Sequence, residues 1–475
     1  MRRLLFLSAL AAGLLALLAA PAFASAKTFY VPATGGDNTA AIQAAFNRAV
    51  AAGSGSVVQL GPGHFYTDAI FVSGFNGTFR GAGQGVTTID TLRGFDNGAA
   101  PLGPVTLDKA GNTVVSWPAL FCFAGGNVRV CDMTAAISDP SPAAQWNTWG
   151  VETTALGDVF EATRTTSAAF SDLTFDTPPN SGDDGGYNVD CDIEVTGHQL
   201  LDRTSGQPTN LATTGGTVTI TGCTFLGNIG VFDSGLTDGS FTLYGDSFTD
   251  GYIAFNSSEA SASQFTVAHN QMWAGGSDVL VGQGGFATDG AGAPLPALPA
   301  PRYTITDNQI SGGGPGYGAV ILWDFCPYFD AAPRLDAALV GNDLDLSGGD
   351  GACGIAEFCT HDILCARNTF SGSASWGIYL GDDQDQNGHS VTVSGWRILG
   401  DDFSGLNASV APILLGAGTT HNLVCPTPAG TIDNGVDNWL LDPLSANARG
   451  DLRAAAARPL AAPEKLKVIR EMKLF

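Results

Sequence analysis

VTITGCTF at 218–225 is rewritten as FTLYGDSF at 241–248, FTVAHNQM at 265–272 and YTITDNQI at 303–310. It returns as AALVGNDL at 337–344, ILCARNTF at 363–370 and VTVSGWRI at 391–398. The final residues of successive copies are 23, 24, 38, 34, 26 and 28 apart. A period of this size marks a solenoid, in which one supersecondary unit stacks on the next. Within a copy, apolar residues such as Val218 and Ile220 alternate and so share one face of a strand. A corner residue follows (Gly222, Asn270, Asn308, Asn342, Asn368), read as a position tolerant of left-handed backbone. A second apolar position, filled by Phe248, Met272, Ile310 or Leu344, begins the next strand.

A third strand follows each glycine-rich turn: GYIAF at 251–255, SDVLV at 277–281, GAVILW at 318–323, CGIAEF at 353–358 and WGIYL at 376–380. Short strands stacked in register with no helix between them predict a parallel β-helix. An antiparallel sandwich has no reason to keep one corner motif in step. The 475 residues therefore form one solenoid, since coils add length without adding domains. The 63 glycines supply its tight turns.

The chain divides into four parts. Arg2 and Arg3, an Ala/Leu-rich run and the small residues Ala24-Ser25-Ala26 read as a secretory signal peptide over 1–26, cut near Ala26. Residues 27–60 hold an N-terminal cap and the first coil. Asp37-Asn38-Thr39 are helix-capping types, Ile42, Ala45, Phe46, Ala49 and Val50 form an apolar stripe, and Gly53 ends the helix. Residues 61–425 carry the solenoid, and 426–475 are a C-terminal cap or tail.

Removal of 1–26 takes away two arginines and leaves a net charge of −26. This balance disfavours nucleic acid and anionic membranes, which need basic surface. No long apolar run follows the leader, so no transmembrane segment is expected, and the protein is placed outside the cell or in the periplasm. The sequence sets no oligomeric state. Nine cysteines in an exported chain permit disulfides, and Cys122 and Cys131, flanking Gly125-Gly126, make the best candidate pair. The remaining cysteines read as core residues.

DNTAAIQAAFNRAV followed by GSVVQLGPGHFYT resembles the opening segment of the pectate-lyase-like superfamily of right-handed parallel β-helices. With the later coils the resemblance covers roughly residues 30–425. It implies an all-β, single-stranded right-handed parallel β-helix with an N-terminal capping helix. The superfamily includes polysaccharide lyases, hydrolases, epimerases and non-catalytic adhesins, so it does not choose an activity.

In such folds the chemistry lies on one face, lined by the third strands and their turns. Asp324, Glu357, Asp382 and Asp383 are the candidate catalytic residues, because paired carboxyls can act as acid and base on a glycosidic bond. Trp323 and Tyr379 offer flat faces for sugar rings, and Asp233, Asn256 and Gln283 complete the substrate-binding set. Gly381-Asp382-Asp383 resembles one element of the polygalacturonase-like hydrolases, but the other three elements are missing. The lyase pattern is missing too. Calcium is the one candidate cofactor, through the acidic stretch at 181–194, and no motif requires it. Single Asp and Asn residues at corners also serve as turn residues. The favoured reading is an enzyme, a hydrolase or lyase, acting on an extracellular polysaccharide. The alternative is a non-catalytic glycan-binding or structural β-helix. The longest spacings in the repeat bracket Trp323 and Asp324, so the interruptions point to the site.

Overall fold

The computed structural model describes residues 26–92, 106–107, 114–115, 119–138, 156–163, 165–177, 189–196, 200–202, 207–209, 216–226, 229–233, 239–249, 253–256, 264–273, 280–284, 302–312, 318–324, 335–381, 383–384 and 387–442. The signal-peptide segment before Ala26, the tail beyond Asp442 and Asp382 lie outside them.

Strands of consecutive coils pair parallel and in register in one hydrogen-bonded system of 32 strands. The chain is a right-handed parallel β-helix. Each full coil contributes to three sheets. The first stacks Val218, Phe241, Phe265, Tyr303 and Ala337 on one another. The second stacks Phe225, Phe248, Met272, Ile310 and Leu344. The third stacks Val231, Ile253, Leu280, Val320, Ile355, Ile378 and Ile413. Where register is kept, like side chains meet face to face: Phe175, Phe225 and Phe248 form a stack with centroids 4.9 and 4.4 Å apart. Such a core grows by repetition, each coil burying the apolar face of its neighbour.

Helix α1, Thr39–Ala52, closes the N-terminal end, burying Ile42, Ala45, Phe46 and Ala49 while Val50 remains exposed. Phe46 packs against Phe75 and Phe79, with centroids 5.3 and 5.0 Å away. Asp37 accepts the Thr39 N–H at 2.8 Å, and Gly53 ends the helix with φ of 90°. At the other end the ladder runs past residue 425: Ile432 pairs with Leu414, and Trp439 with Leu423.

At Gly222 the corner is left-handed as expected, with φ of 65°, but at the asparagines the chemistry differs from the sequence expectation. The left-handed residue is the one before each asparagine: His269, Asp307, Gly341 and Arg367 have φ of 57°, 54°, 69° and 55°. The asparagines themselves are buried and stack into a ladder. Asn308 Oδ1 accepts both the backbone N–H and the side-chain amide of Asn270, each at 3.0 Å. Asn308 in turn donates to Asn342 Oδ1 at 2.9 Å and to the Val267 carbonyl at 2.9 Å. Asn342 repeats the pattern toward Asn368. The corner leaves backbone N–H groups with no strand partner, and a stacked amide satisfies them one coil at a time. Carboxylates end the ladder. Asp246 passes its N–H to Asn270, and Asp401 accepts from Asn368.

The expected Cys122–Cys131 bridge is not formed, and Cys131 is a buried free thiol. Cys131 stacks between Arg80 and Ser171 in the first sheet, whereas Cys122 stacks between Phe71 and Glu161 in the third. Nearness along the chain here crosses from one sheet to another. Cys223, Cys353, Cys359 and Cys365 are buried in the core.

Candidate functional site

The third sheet carries two of the four candidate carboxyls, Asp324 and Glu357, on neighbouring coils, and a third, Asp383, sits just past the next third-sheet strand in a short antiparallel pair with Val391. Along Gly318–Asp324, the side chains of Val320, Leu322 and Asp324 are buried, and Ile321 and Trp323 are partly exposed. One coil on, Glu357 lies beside Leu322 and Phe358 beside Trp323. In the next coil comes Asp383. The alternation that exposes the aromatics therefore turns the carboxyls toward the coil interior. Asp324, Glu357 and Asp383 are 0%, 5% and 7% exposed, so they underlie the face instead of projecting from it.

Each carboxyl is held by backbone N–H groups. Asp324 Oδ2 accepts the Leu335 N–H at 2.8 Å. Glu357 Oε1 accepts the Gly381 N–H at 2.9 Å, and Oε2 accepts both the N–H and the hydroxyl of Thr360, at 3.2 and 2.9 Å. The Thr360 hydroxyl receives the indole N–H of the fully buried Trp396 at 3.1 Å. Asp383 accepts the Cys359 N–H. Burial, and then the neighbouring Asp383 carboxylate, push Glu357 well above the usual carboxyl range. Glu357 thus holds its proton more tightly than an ordinary carboxyl and sits beside a second acid, the asymmetry that acid–base chemistry uses.

Above these acids runs an aromatic strip. Asn256, Gln283, Trp323 and Phe358 occupy one row across successive coils. Trp323 and Phe358 meet edge to face at 4.8 Å. Tyr379 belongs to the adjacent row, next to Ala356. Its ring leans over Gly381, where an added Cβ would come within 2.6 Å of Tyr379 Cε1. Tyr379 thereby extends the strip toward the end of the Trp323 row, and Trp376 lies 5.2 Å from it.

Asp233 is not part of this group. Its row runs through Phe255, Gly282 and Leu322 to Glu357, four strand steps or roughly 19 Å away. Most of the 181–194 acidic stretch is outside the described residues; within it, Asp192 is fully buried and bonded to the Thr177 hydroxyl at 2.8 Å. Among the described residues no group of three or more His, Cys, Asp or Glu is placed to hold a metal ion.

Thr360, Phe358 and Trp396 are not among the sequence candidates for the site, and His361 has there only the reading of a corner residue. His361 Nδ1 is buried without a hydrogen-bond partner among the described residues, and burial holds this imidazole below its ordinary range against the opposing charge of Asp324. The available signal was position: Phe358 through His361 directly follow Glu357 in the turn after a third strand.

No protein-family model matches the chain, and no curated protein matches it in sequence. Several solved structures are similar in shape. The A-module of an Azotobacter vinelandii mannuronan C-5 epimerase is 16% identical with a TM-score of 0.43, over 87% of this chain and 97% of that one. An exopolygalacturonase from Thermotoga maritima is 9% identical with a TM-score of 0.38, over 78% of this chain and 87% of that one. PfbA, a surface adhesin of Streptococcus pneumoniae, is 11% identical with a TM-score of 0.37, over 88% and 94%. The likeness is confined to the fold.

Proposed function

We propose that this is an exported carbohydrate-active protein that binds an extracellular polysaccharide along the Trp323–Phe358–Tyr379 strip and cleaves it with the acids beneath. The observation that carries the reading is that Gly381 serves both parts: its backbone supports the Tyr379 ring, and its N–H holds Glu357. In this scheme sugar rings stack on the aromatics. Glu357, kept protonated by burial and by Asp383, delivers a proton to the glycosidic oxygen. Asp383 is the partner that activates water or attacks the sugar, and Asp324 positions the turn at Leu335. The small exposure of the acids requires that the occupied site close over or open onto them.

The test is a screen of the purified protein against neutral and uronate polysaccharides, with and without calcium, following new reducing ends and unsaturated products. Glu357→Gln is the control. Cleavage that this variant abolishes supports the proposal. A second reading, glycan binding without turnover, is favoured by the burial of Asp324 and its bond to the Leu335 N–H. Retention on a polysaccharide with no product from any of them would establish it in place of the enzyme.

A further inference from the structure

The charge on this molecule is segregated by sheet. Among the described residues of the third-sheet strands there is no Lys, Arg or His, while Glu161, Asp192, Asp324, Glu357 and Asp433 lie there and Asp383 follows just past the end of one of them. The arginines on described strands, Arg80, Arg129, Arg302 and Arg397, are all in the first sheet. Arg302 is already paired there with Asp336 at 2.7 Å. The described strands that carry the aromatic strip therefore bear acids and no basic residue, and two of the acids at this end crowd each other: Asp383 raises the proton affinity of Glu357.

We infer that the polysaccharide taken by this site is uncharged and not a polyuronate, an inference that rests on the site proposed above. A uronate chain would carry a carboxylate on every residue past Asp324 and Asp383 with no cation on the described strands to meet it. Like charges placed together across an interface without a counter-charge act against the wrong partner. Half-exposed aromatic faces discriminate little by charge and suit the apolar faces of neutral sugars. The chemistry narrows with the substrate. Elimination requires the proton beside a uronate carboxyl, which a neutral sugar lacks, so cleavage here is hydrolytic. The glycosidic bond breaks, the leaving oxygen takes the Glu357 proton, water adds to the sugar carbon, and the proton lost from water goes to Asp383.

The experiment is retention of the full chain in native gels cast with single polysaccharides. The neutral set is a β-glucan, an α-glucan and a mannan, and the uronate set is polygalacturonate and alginate. Each is run at low and high salt, with and without calcium. The expected result is retention by a neutral polysaccharide, insensitive to salt and weakened about tenfold or more in Trp323→Ala. Tyr379→Ala provides an independent check if Trp323→Ala does not fold, and Arg334→Ala, the basic residue one position before Leu335, should leave neutral binding unchanged. Retention by a polyuronate that Trp323→Ala abolishes, in either calcium condition, overturns the inference while leaving the site in place. Retention by none, or retention that both aromatic variants leave intact, overturns the site itself and this inference with it.

Discussion

Glu357 and Gly381, on adjacent coils, are joined by a 2.9 Å hydrogen bond from the glycine N–H to the buried carboxyl, under the ring of Tyr379. Acid and aromatic are thereby fixed by one residue that has no side chain of its own. Gly381→Ala places a methyl 2.6 Å from the Tyr379 ring, which must swing away. Its φ is not in the left-handed region, so the backbone accepts alanine. The expected outcome is polysaccharide binding weakened about tenfold, equivalent to about 1.4 kcal/mol, with an unfolding midpoint close to that of the parent chain. Isothermal titration and urea unfolding measure the two.

Glu357→Gln keeps an acceptor for the Gly381 N–H and removes a buried ionisable group. The folded protein raises this carboxyl above its ordinary 4.5, so its contribution to stability is complete below that pH and is lost as pH rises. The glutamine variant should therefore show a flatter stability profile above pH 4.5 and no cleavage. Urea midpoints at a series of pH values, with product assays, check both halves.

The acids ending the asparagine ladder make a separate pH prediction. Asp246 and Asp401 are each pushed from 3.8 up to about 7, in both cases chiefly by burial. Folding is favoured while both are protonated, fully so below pH 4, and the advantage is lost as pH rises toward 7. The fall should be on the order of 4 kcal/mol for each of the two groups. Asp246→Asn and Asp401→Asn should each remove part of the slope, as read from unfolding at pH 5, 6, 7 and 8.

Asn308 sits in the middle of that ladder. Alanine there leaves the Asn270 N–H and side-chain amide without their Asn308 acceptor and the Val267 carbonyl without its side-chain donor in a buried corner, while Asn342 Oδ1 keeps only the backbone N–H of residue 308. Each buried group so orphaned costs about 1–3 kcal/mol, so a loss of about 3 kcal/mol or more is expected. Asp307→Gly, at the neighbouring left-handed position, should instead be neutral or slightly stabilising. Chemical denaturation of the two variants gives the comparison.

Cys131 is buried, and burial pushes its thiol up to about 12. It should resist alkylation at pH 8 in the folded protein and react on unfolding, and reducing agent should leave the unfolding curve unchanged. Mass spectrometry after iodoacetamide treatment reads this directly.

Much of this protein is written locally. The repeated alternation around Val218, Phe241 and Phe265 determines strands, their inward faces and their stacking, because a one-residue slip would expose every apolar side chain. The pattern of DNTAAIQAAF likewise determines the capping helix. The row of Asn256, Gln283 and Trp323 was legible for the same reason, since equal spacing from each corner means equal position in the coil. Tertiary structure decided the rest. The corner asparagines serve stacking and not turning, which depends on amides one coil away. Cys122 and Cys131, nine residues apart, lie in different sheets. Whether Asp324, Glu357 and Asp383 project or sink follows from the parity that the whole stack imposes, and it turns them inward beneath Trp323 and Tyr379. The partners of Glu357, Thr360 and Gly381, and Trp396, which bonds Thr360 in turn, come from three coils, and nothing in the local sequence of any one coil specifies that meeting.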